Sequence, residues 1–260
     1  MMKKYKDLKY PTYGGFSTSL YRINAVEMIP RVKNKDMEKV FPWMLAWEFP
    51  DLDLCDMLYD ELHRSAEADE TDPGHCMSKG EHGVHTEVKD SQDLSICTLG
   101  FMIDKPVLDD KGNQDSFYIV TINLETWLKH CLMEYMVHNP MYNGKHIMLE
   151  HGTIQYQHYF PGGGFKNQHS ERNYTTLGEF TGQQRELVFM MYLNDLKESD
   201  NKGGTYFTKQ GITLPCKKGL TAIWPAGHEF AHAGYVHDTK CKGIITGWFV
   251  THPPAHPAMA

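Results

Sequence analysis

Apolar residues recur at helical spacing in two segments of the first half of the chain. The apolar positions of residues 52–64 are three and four apart, which places them on one face of a helix. Asp51 is a typical start signal for that helix. Residues 124–136 carry a second apolar stripe at the same spacing, and Pro140 ends it. The pattern therefore predicts two amphipathic helices.

After Asn139 the pattern changes to short apolar runs, several of which alternate with period two. These runs cover residues 153–160, 187–193, 204–207, 212–214, 220–224 and 244–250. Glycine, proline and lysine turns separate them at roughly regular spacing. Many short strands at such spacing favour a β-sandwich, a jelly roll or a barrel, with mostly antiparallel pairing.

The remaining segments complete the predicted organisation. Residues 1–45 contain many Tyr, Lys, Pro and Gly residues and one short apolar patch, and we interpret them as a lead-in segment. Residues 66–86 are polar and contain Gly and His, which predicts a loop or a poorly ordered segment. We expect one domain over residues 46–260, with a helical part at 46–140 and a β core at 150–252.

Composition and charge narrow the class of protein. The chain has 260 residues, of which 41% are hydrophobic and 23% charged, as in ordinary globular proteins. Its formal net charge of −7 has the wrong sign for coating nucleic acid by charge alone, so a nucleic-acid partner is not expected. No uninterrupted apolar run approaches the ~18 residues that span a bilayer, and the first residues do not resemble a secretory signal. These features predict a cytoplasmic protein without a membrane partner.

Cysteine usage agrees with that environment. The six cysteines are scattered along the chain, and none forms a C-x-x-C pair of the kind used for zinc or thiol exchange. We expect reduced and mostly buried thiols rather than a disulfide framework, because no secretory signal accompanies them. Histidine is abundant, at 15 residues, and carries most of the candidate chemistry.

Three residues of the β half could bind one metal ion. His169 and Glu171 are two positions apart, so in an extended strand their side chains point to the same face. His232 follows in a second short segment. Two imidazoles and one carboxylate on one face of a metal leave the other face open, an arrangement found in non-haem Fe(II) oxygenases. Taken separately, an H-x-E triplet arises easily by chance among fifteen histidines, and His232 could be a core histidine.

A lysine and two hydroxyl groups could bind an anion nearby. Lys242 opens the apolar run that ends at Val250, where burial of its ammonium would be costly without an anion such as a dicarboxylate. Tyr192 could donate its hydroxyl to the same carboxylate, and Thr246 lies further along the face of Lys242. The alternatives are a surface ammonium for Lys242 and core packing for Tyr192.

Six motifs in this order resemble the 2-oxoglutarate- and Fe(II)-dependent oxygenases, in their prolyl 4-hydroxylase-like branch. The motifs are His169-Ser-Glu171, Tyr192-Leu-Asn194, Gly203-Gly-Thr-Tyr-Phe207, Pro215-Cys-Lys-Lys-Gly219, His232-Ala-Gly234 and Lys242-Gly-Ile-Ile-Thr246-Gly-Trp248. Arg185 and Tyr159 also fit the family's spacing. Upstream, residues 54–58 and 88–94 are similar to the family's first helix and following strand. The resemblance covers roughly residues 45–250.

The resemblance implies an α+β fold, in which N-terminal helices pack on one sheet of a double-stranded β-helix, a jelly-roll and cupin-like core. It implies His169, Glu171 and His232 as the iron ligands. The co-substrates would be 2-oxoglutarate and O2, with ascorbate as an optional addition. Lys242 would pair with the distal carboxylate of 2-oxoglutarate.

The resemblance also bears on the residues around these ligands. Tyr192 would assist Lys242, with Tyr159 and Thr246 in supporting roles. Apolar side chains such as Ile244 and Trp248 would keep water away. Glu171 departs from the family's usual aspartate. It still provides a carboxylate ligand, which favours hydroxylation over halogenation because halogenating members lack this carboxylate.

The implied activity is hydroxylation of a C–H bond by a 2-oxoglutarate- and Fe(II)-dependent dioxygenase. A prolyl residue in a peptide or protein is the first substrate expectation. A free amino acid or another small molecule is the second. A nucleobase comes third, because the net negative charge indicates no basic surface for binding phosphates. A protein of another class, a non-catalytic jelly roll that binds a metal, remains the alternative to an enzyme.

Overall fold

The computed structural model describes most of the chain from residue 43 onward. The described ranges are 43–79, 81–97, 116–142, 147–150, 153–172, 184–196 and 203–251. The predicted lead-in at residues 1–45 therefore lies almost wholly outside the described residues. Two α-helices are present in the described ranges, α1 (Leu52–Glu67) and α2 (Ser116–His138). Neither of them is long and apolar enough to cross a membrane.

Short strands make up most of the rest of the described chain. The first seven are β1 (Leu45–Glu48), β2 (Asp72–Pro73), β3 (His75–Ser78), β4 (Glu81–Val84), β5 (Lys89–Asp90), β6 (Gln92–Cys97) and β7 (Ile147–Leu149). The others are β8 (Thr153–Tyr159), β9 (Gly164–Phe165), β10 (Gln184–Tyr192), β11 (Thr205–Phe207), β12 (Ile212–Leu214), β13 (Leu220–Pro225), β14 (His232–Gly234) and β15 (Lys242–Thr251). All six predicted apolar runs form strands.

The described strands form one large sheet, one small sheet that faces it, and two two-stranded ladders, β3–β4 and β5–β9. The large sheet has the order β1-β13-β10-β15-β8-β6-β2, with β7 also paired to β15, and the small sheet has the order β12-β11-β14. All pairs in both sheets are antiparallel. In the large sheet Lys242 of β15 lies opposite Tyr159 of β8. This arrangement confirms the predicted double-stranded β-helix.

Side chains alternate between two apolar cores on the two faces of the large sheet. In β10, Leu187 and Phe189 belong to a core that also contains residues of α1 and α2. Val188 and Met190 belong to a second core on the opposite face, together with small-sheet residues such as Phe207. This alternation is the period-two pattern of a strand that is buried on both faces. The helices therefore pack on one face of the large sheet, as predicted, and the other face remains for the small sheet and a cavity.

Both predicted helices are present, and both are longer than predicted. The Asp51 carboxylate accepts a hydrogen bond from the backbone N–H of Leu54 at 3.0 Å and caps α1 as expected. Helix α1 then continues to Glu67, and α2 begins at Ser116, before the predicted stripe. Helix α2 ends at His138, two residues before Pro140, as the sequence indicates.

The prediction of a loop at residues 66–86 is wrong. The end of α1, strand β2 and the hairpin β3–β4 occupy this segment. The hairpin pairs Ser78 with Glu81 across a two-residue connection, and Lys79 adopts a φ of 51° there. The hairpin is held by backbone hydrogen bonds and is polar and largely exposed. Its sequence therefore lacks the apolar alternation from which a strand is predicted. The helical part of the domain likewise contributes β1, β2 and β6 to the large sheet.

Candidate active site

His169, Glu171 and His232 come together at one point. Their candidate ligand atoms all lie within 4.8 Å of one another. The Glu171 Oε1 atom is 3.2 Å from Nε2 of His169 and 3.7 Å from Nε2 of His232. Two imidazole nitrogens and one carboxylate oxygen form a donor set that suits Fe(II). The three side chains thus fit the Fe(II) that the sequence resemblance implies.

A short backbone pairing, rather than a strand, positions the first two residues. His169 belongs to none of the strands and forms an isolated bridge with His232. The N–H of each histidine donates to the carbonyl oxygen of the other at 2.9 Å. His232 itself begins β14 of the small sheet, opposite Phe207. The bridge fixes the separation of the two imidazoles even though they are far apart in sequence.

The second ring nitrogen of each histidine fixes its orientation. Nδ1 of His169 lies 3.0 Å from the carbonyl oxygen of Asn167, and Nδ1 of His232 lies 2.9 Å from that of Phe230. A carbonyl oxygen can only accept, so each Nδ1 carries the proton and donates it. When the rings are neutral, Nε2 is therefore the unprotonated nitrogen of each, and both Nε2 atoms lie beside Glu171. This is the usual arrangement around metal-binding histidines.

Two side chains that the sequence did not assign to the metal centre hold the Glu171 carboxylate. Trp248 Nε1 donates to Glu171 Oε2 at 2.9 Å, and Arg185 Nη1 lies 3.8 Å from the same oxygen. The Arg185 guanidinium also lies 3.6 Å from the centre of the Trp248 ring. The sequence analysis predicted that Trp248 excludes water, and it gave Arg185 no role beyond its position in the motif spacing. Their contacts with Glu171 were not predicted.

Burial and neighbouring charges set the protonation states of the group. Burial by itself would raise the pKa of Glu171, but the hydrogen bond and charge of His169, together with His232 and Arg185, lower it to about 2. Burial, with a contribution from the charge of His169, lowers the pKa of His232 to about 4. At neutral pH the carboxylate is therefore ionised and His232 is neutral, which are the forms that bind metal.

Lys242 places a buried ammonium group in the same cavity. Its side chain is 5% exposed, and Nζ donates to the carbonyl oxygen of Tyr235 at 3.3 Å and lies 4.6 Å from the centre of the Tyr159 ring. Burial lowers the pKa of Lys242 to about 8. No carboxylate within the described ranges pairs with it, whereas the nearby Lys89 pairs with Asp93 at 2.5 Å. Lys242 is thus a buried cation with room for an anionic partner.

The three hydroxyl groups expected beside Lys242 line the cavity as well, but they have different partners. Tyr159 donates to Oε1 of Gln157 at 2.6 Å, and Thr246 donates to a backbone carbonyl oxygen at 2.9 Å. Tyr192 shares a hydrogen bond of 2.7 Å with Thr205, in which either group could be the donor. When Thr205 donates, the Tyr192 hydroxyl donates to the carbonyl oxygen of Leu214 at a long 3.5 Å, a bond that a closer ligand acceptor can replace. Among the three hydroxyls, Tyr192 is therefore the best placed to donate to a ligand.

One cavity of about 1090 Å³ joins all seven predicted residues. It runs between the large and small sheets and reaches the β3–β4 hairpin, where Ser78, Lys79 and His82 line it. Polar residues that the sequence did not single out, among them Gln155 and Gln157 of β8, also face it. Gln155, Gln157 and Tyr159 are two positions apart along β8, so their side chains lie on the same face of the strand. Once Tyr159 is placed in the cavity, this alternation places the two glutamines there as well.

The sequence between β8 and β15 matches a known family. Residues 154–250 match the family profile described as "2OG-Fe(II) oxygenase superfamily". These residues form a 2OG-Fe(II) oxygenase domain. This domain is that of a 2-oxoglutarate-dependent dioxygenase, and the cofactors of that class are Fe(II), 2-oxoglutarate and O2. Among curated protein sequences, none matches the chain significantly.

Solved structures share the fold of this oxygenase. A prolyl-4-hydroxylase from Pseudomonas putida aligns with a TM-score of 0.54 at 17% identity, covering 83% of this chain and 95% of that one. A Trichoplax adhaerens prolyl hydroxylase, in complex with a peptide fragment of the hypoxia inducible factor oxygen degradation domain, gives 0.54 at 12%, covering 83% and 86%.

A third structure, viral collagen prolyl hydroxylase from Paramecium Bursaria Chlorella virus-1 in a 2OG complex, gives a TM-score of 0.50 at 16% identity. It covers 80% of this chain and 96% of that one. The fold is therefore that of the prolyl 4-hydroxylase-like branch.

Proposed function

We propose that this dioxygenase hydroxylates a prolyl residue in a peptide or protein. In this proposal His169, Glu171 and His232 hold Fe(II), and Lys242 binds the distal carboxylate of 2-oxoglutarate. The bound iron supplies the oxidative chemistry, in which 2-oxoglutarate and O2 yield succinate, CO2 and a hydroxylated C–H bond. The observation that carries the proposal is the shared cavity, which contains the three candidate ligands and a buried ammonium that no carboxylate of the described residues neutralises.

The side chains of the protein provide position and charge for this reaction. The backbone carbonyls of Asn167 and Phe230 hold the protons on Nδ1 and so keep both Nε2 atoms available for metal. Trp248 holds one oxygen of Glu171 and leaves the other directed towards the histidines. In this arrangement the keto-acid end of 2-oxoglutarate binds the metal and its distal carboxylate binds Lys242. A monoacid lacks the second carboxylate, so the site distinguishes 2-oxoglutarate from monoacids.

The size and the opening of the cavity support a peptide substrate. A volume of about 1090 Å³ exceeds what one small diacid fills, and the surplus extends to the β3–β4 hairpin. The hairpin presents an exposed polar edge, including His82 and Lys79, to which extended backbone could hydrogen-bond. The Trichoplax relative was solved with a peptide fragment in place, which further supports this class.

Matched peptides test the proposal. Purified protein is incubated with Fe(II), 2-oxoglutarate and O2, and with peptides that carry proline or alanine at one position. We expect faster succinate release, and a mass gain of one oxygen atom, only with the proline peptides. Hydroxylation of free amino acids but of no peptide would replace the proposed substrate by the small-molecule alternative. Iron binding without succinate release under any condition would favour a non-catalytic metal-binding protein.

A further inference from the structure

A second group of metal-binding side chains lies on the opposite face of β8. Gln157 and Tyr159 face the co-substrate cavity, so His158 between them points the other way, towards α1. There it meets His63 of α1 and Cys241, the residue before β15. One candidate ligand atom from each of these three residues lies within 4.8 Å of the other two.

The two imidazoles already lie close enough for one metal ion to bind both. Nδ1 of His63 and Nε2 of His158 are 3.0 Å apart. The other ring nitrogen of His63, Nε2, lies 3.5 Å from Oε1 of Glu67, one helical turn later. A carboxylate behind a metal-binding histidine fixes its tautomer and increases its basicity. Glu67 can therefore take this role for His63.

The thiol of Cys241 is carried by a segment of fixed backbone. The Asn194 side chain donates from Nδ2 to the carbonyl oxygen of Cys241 at 3.0 Å and accepts from the N–H of Gly243 at 3.0 Å. This pair of hydrogen bonds holds the start of β15 on both sides of Lys242. The two hydrogen bonds of the Asn194 side chain thus fix the backbone position of Cys241.

Aromatic rings enclose the cluster. The ring centres of Phe160 and His158 are 4.6 Å apart, and Tyr59 stacks on His63 at 6.1 Å. His158 is fully buried, whereas His63 and Cys241 are partly exposed. A metal ion could therefore enter from the α1 side, and a water molecule could occupy its fourth position.

We propose that His63, His158 and Cys241 form a zinc site separate from the iron centre. A thiolate with two imidazoles is a soft donor set that favours Zn²⁺, in contrast to the sulfur-free set of His169, Glu171 and His232. Binding displaces the proton of the Cys241 thiol, so one proton is released for each ion bound. The large sheet separates the two centres, and each of its faces carries one of them.

Cobalt substitution tests this site without any measure of activity. Co²⁺ bound by a thiolate gives a sulfur-to-cobalt charge-transfer band in the near ultraviolet, which a sulfur-free site lacks. We expect the full-length protein to show this band, and added Zn²⁺ to abolish it. Absence of the band at saturating Co²⁺ would overturn the proposal, because it would leave only a hydrogen-bonded histidine pair.

Variants assign the band to the three residues. Cys241→Ser and His63→Ala change partly exposed side chains and are expected to abolish it. His138→Ala is the matched control, because His138 pairs with Glu134 on α2 at 3.8 Å and belongs to neither candidate metal group of the described residues. Persistence of the band in Cys241→Ser or His63→Ala, or its loss in the control, would overturn the assignment.

The two metal centres can be tested independently. In a His169→Ala/His232→Ala variant the band is expected to remain, with one fewer equivalent of bound Co²⁺. Loss of the band in that variant would mean that sulfur and the iron centre share one site, which contradicts the zinc proposal. Succinate release by the parent protein reports the iron centre alone, so failure of either proposal is visible without the other.

Discussion

Replacing Lys242 with methionine is expected to weaken 2-oxoglutarate binding and at the same time to stabilise the empty protein. Methionine has nearly the length of lysine and no charge, so it fills the same space beside Tyr159. The two effects have opposite signs because the ammonium is buried without a carboxylate partner in the described part of the chain. A side chain kept only for packing would not produce this combination.

The loss of affinity follows from one hydrogen bond between charged groups. Such a bond contributes about 1.5–3 kcal/mol, which corresponds to a roughly 10- to 140-fold higher Kd for 2-oxoglutarate. Burial lowers the pKa of Lys242 from 10.5 to about 8, so the bound anion needs a proton that the free protein begins to lose near pH 8. Above that pH the parent protein is expected to lose affinity by up to about tenfold per pH unit, whereas the methionine variant is not.

The gain in stability follows from the same change in pKa. The unfolded chain holds the lysine proton up to about pH 10.5 and the folded protein only up to about pH 8, so charge burial costs about 3 kcal/mol below pH 8. Because the unfolded state binds more protons between these values, parent stability rises across that window. The advantage of the variant is therefore greatest at pH 7 and disappears above about pH 10.5.

Calorimetry and denaturation measure the two effects separately. Titration of 2-oxoglutarate into Mn²⁺-loaded protein gives Kd without turnover, and urea unfolding of the empty protein gives the free energy of unfolding. Lys240→Met, at an exposed position on the same segment, should change neither quantity. An unchanged Kd for Lys242→Met would show that the anion binds elsewhere, and a less stable variant would refute the assignment of Lys242 as a buried charge without a neutralising partner.

Four further substitutions probe the proposed metal centre. His169→Ala or His232→Ala should abolish Fe(II) binding and succinate release, and near-normal activity would exclude that histidine as a ligand. Glu171→Gly should abolish hydroxylation as measured by product mass, so a retained parent rate would show that the carboxylate is not a ligand. Trp248→Phe keeps the ring and removes the bond to Glu171, and it should weaken Fe(II) affinity by about 10- to 100-fold in a chelator competition. An unchanged affinity would show that this bond does not orient the carboxylate.

The β core could be predicted because each strand carries its own signal. Residues 187–193 form part of β10 between two apolar cores, so burial on both faces leaves a continuous apolar run in the sequence. The order and spacing of the motifs predicted that His169, Glu171 and His232 share one site. The structure places their candidate ligand atoms within 4.8 Å of one another, with an isolated bridge between His169 and His232.

The features that could not be predicted depend on contacts between distant segments. The bond from Trp248 to Glu171 joins residues 77 positions apart, and no local pattern indicates it. Strand β1 becomes a strand because Leu45 pairs with Ile223 at the edge of the large sheet, and its four residues are too few to show a period. The β3–β4 hairpin is polar and held by backbone pairing, so its residues look like a loop.

The side chains of β8 contribute to both proposed centres, so both centres depend on the register of this one strand. Tyr159 lies opposite Lys242 and His158 lies opposite Gly243, with their side chains on opposite faces of the sheet. A shift of the β8 register by one residue would exchange the two faces of the strand. The His158 imidazole would then enter the cavity beside Lys242, and the Tyr159 ring would lie against the helices. Point substitutions in this strand can therefore damage one centre and spare the other, whereas a one-residue insertion or deletion within it would disable both together.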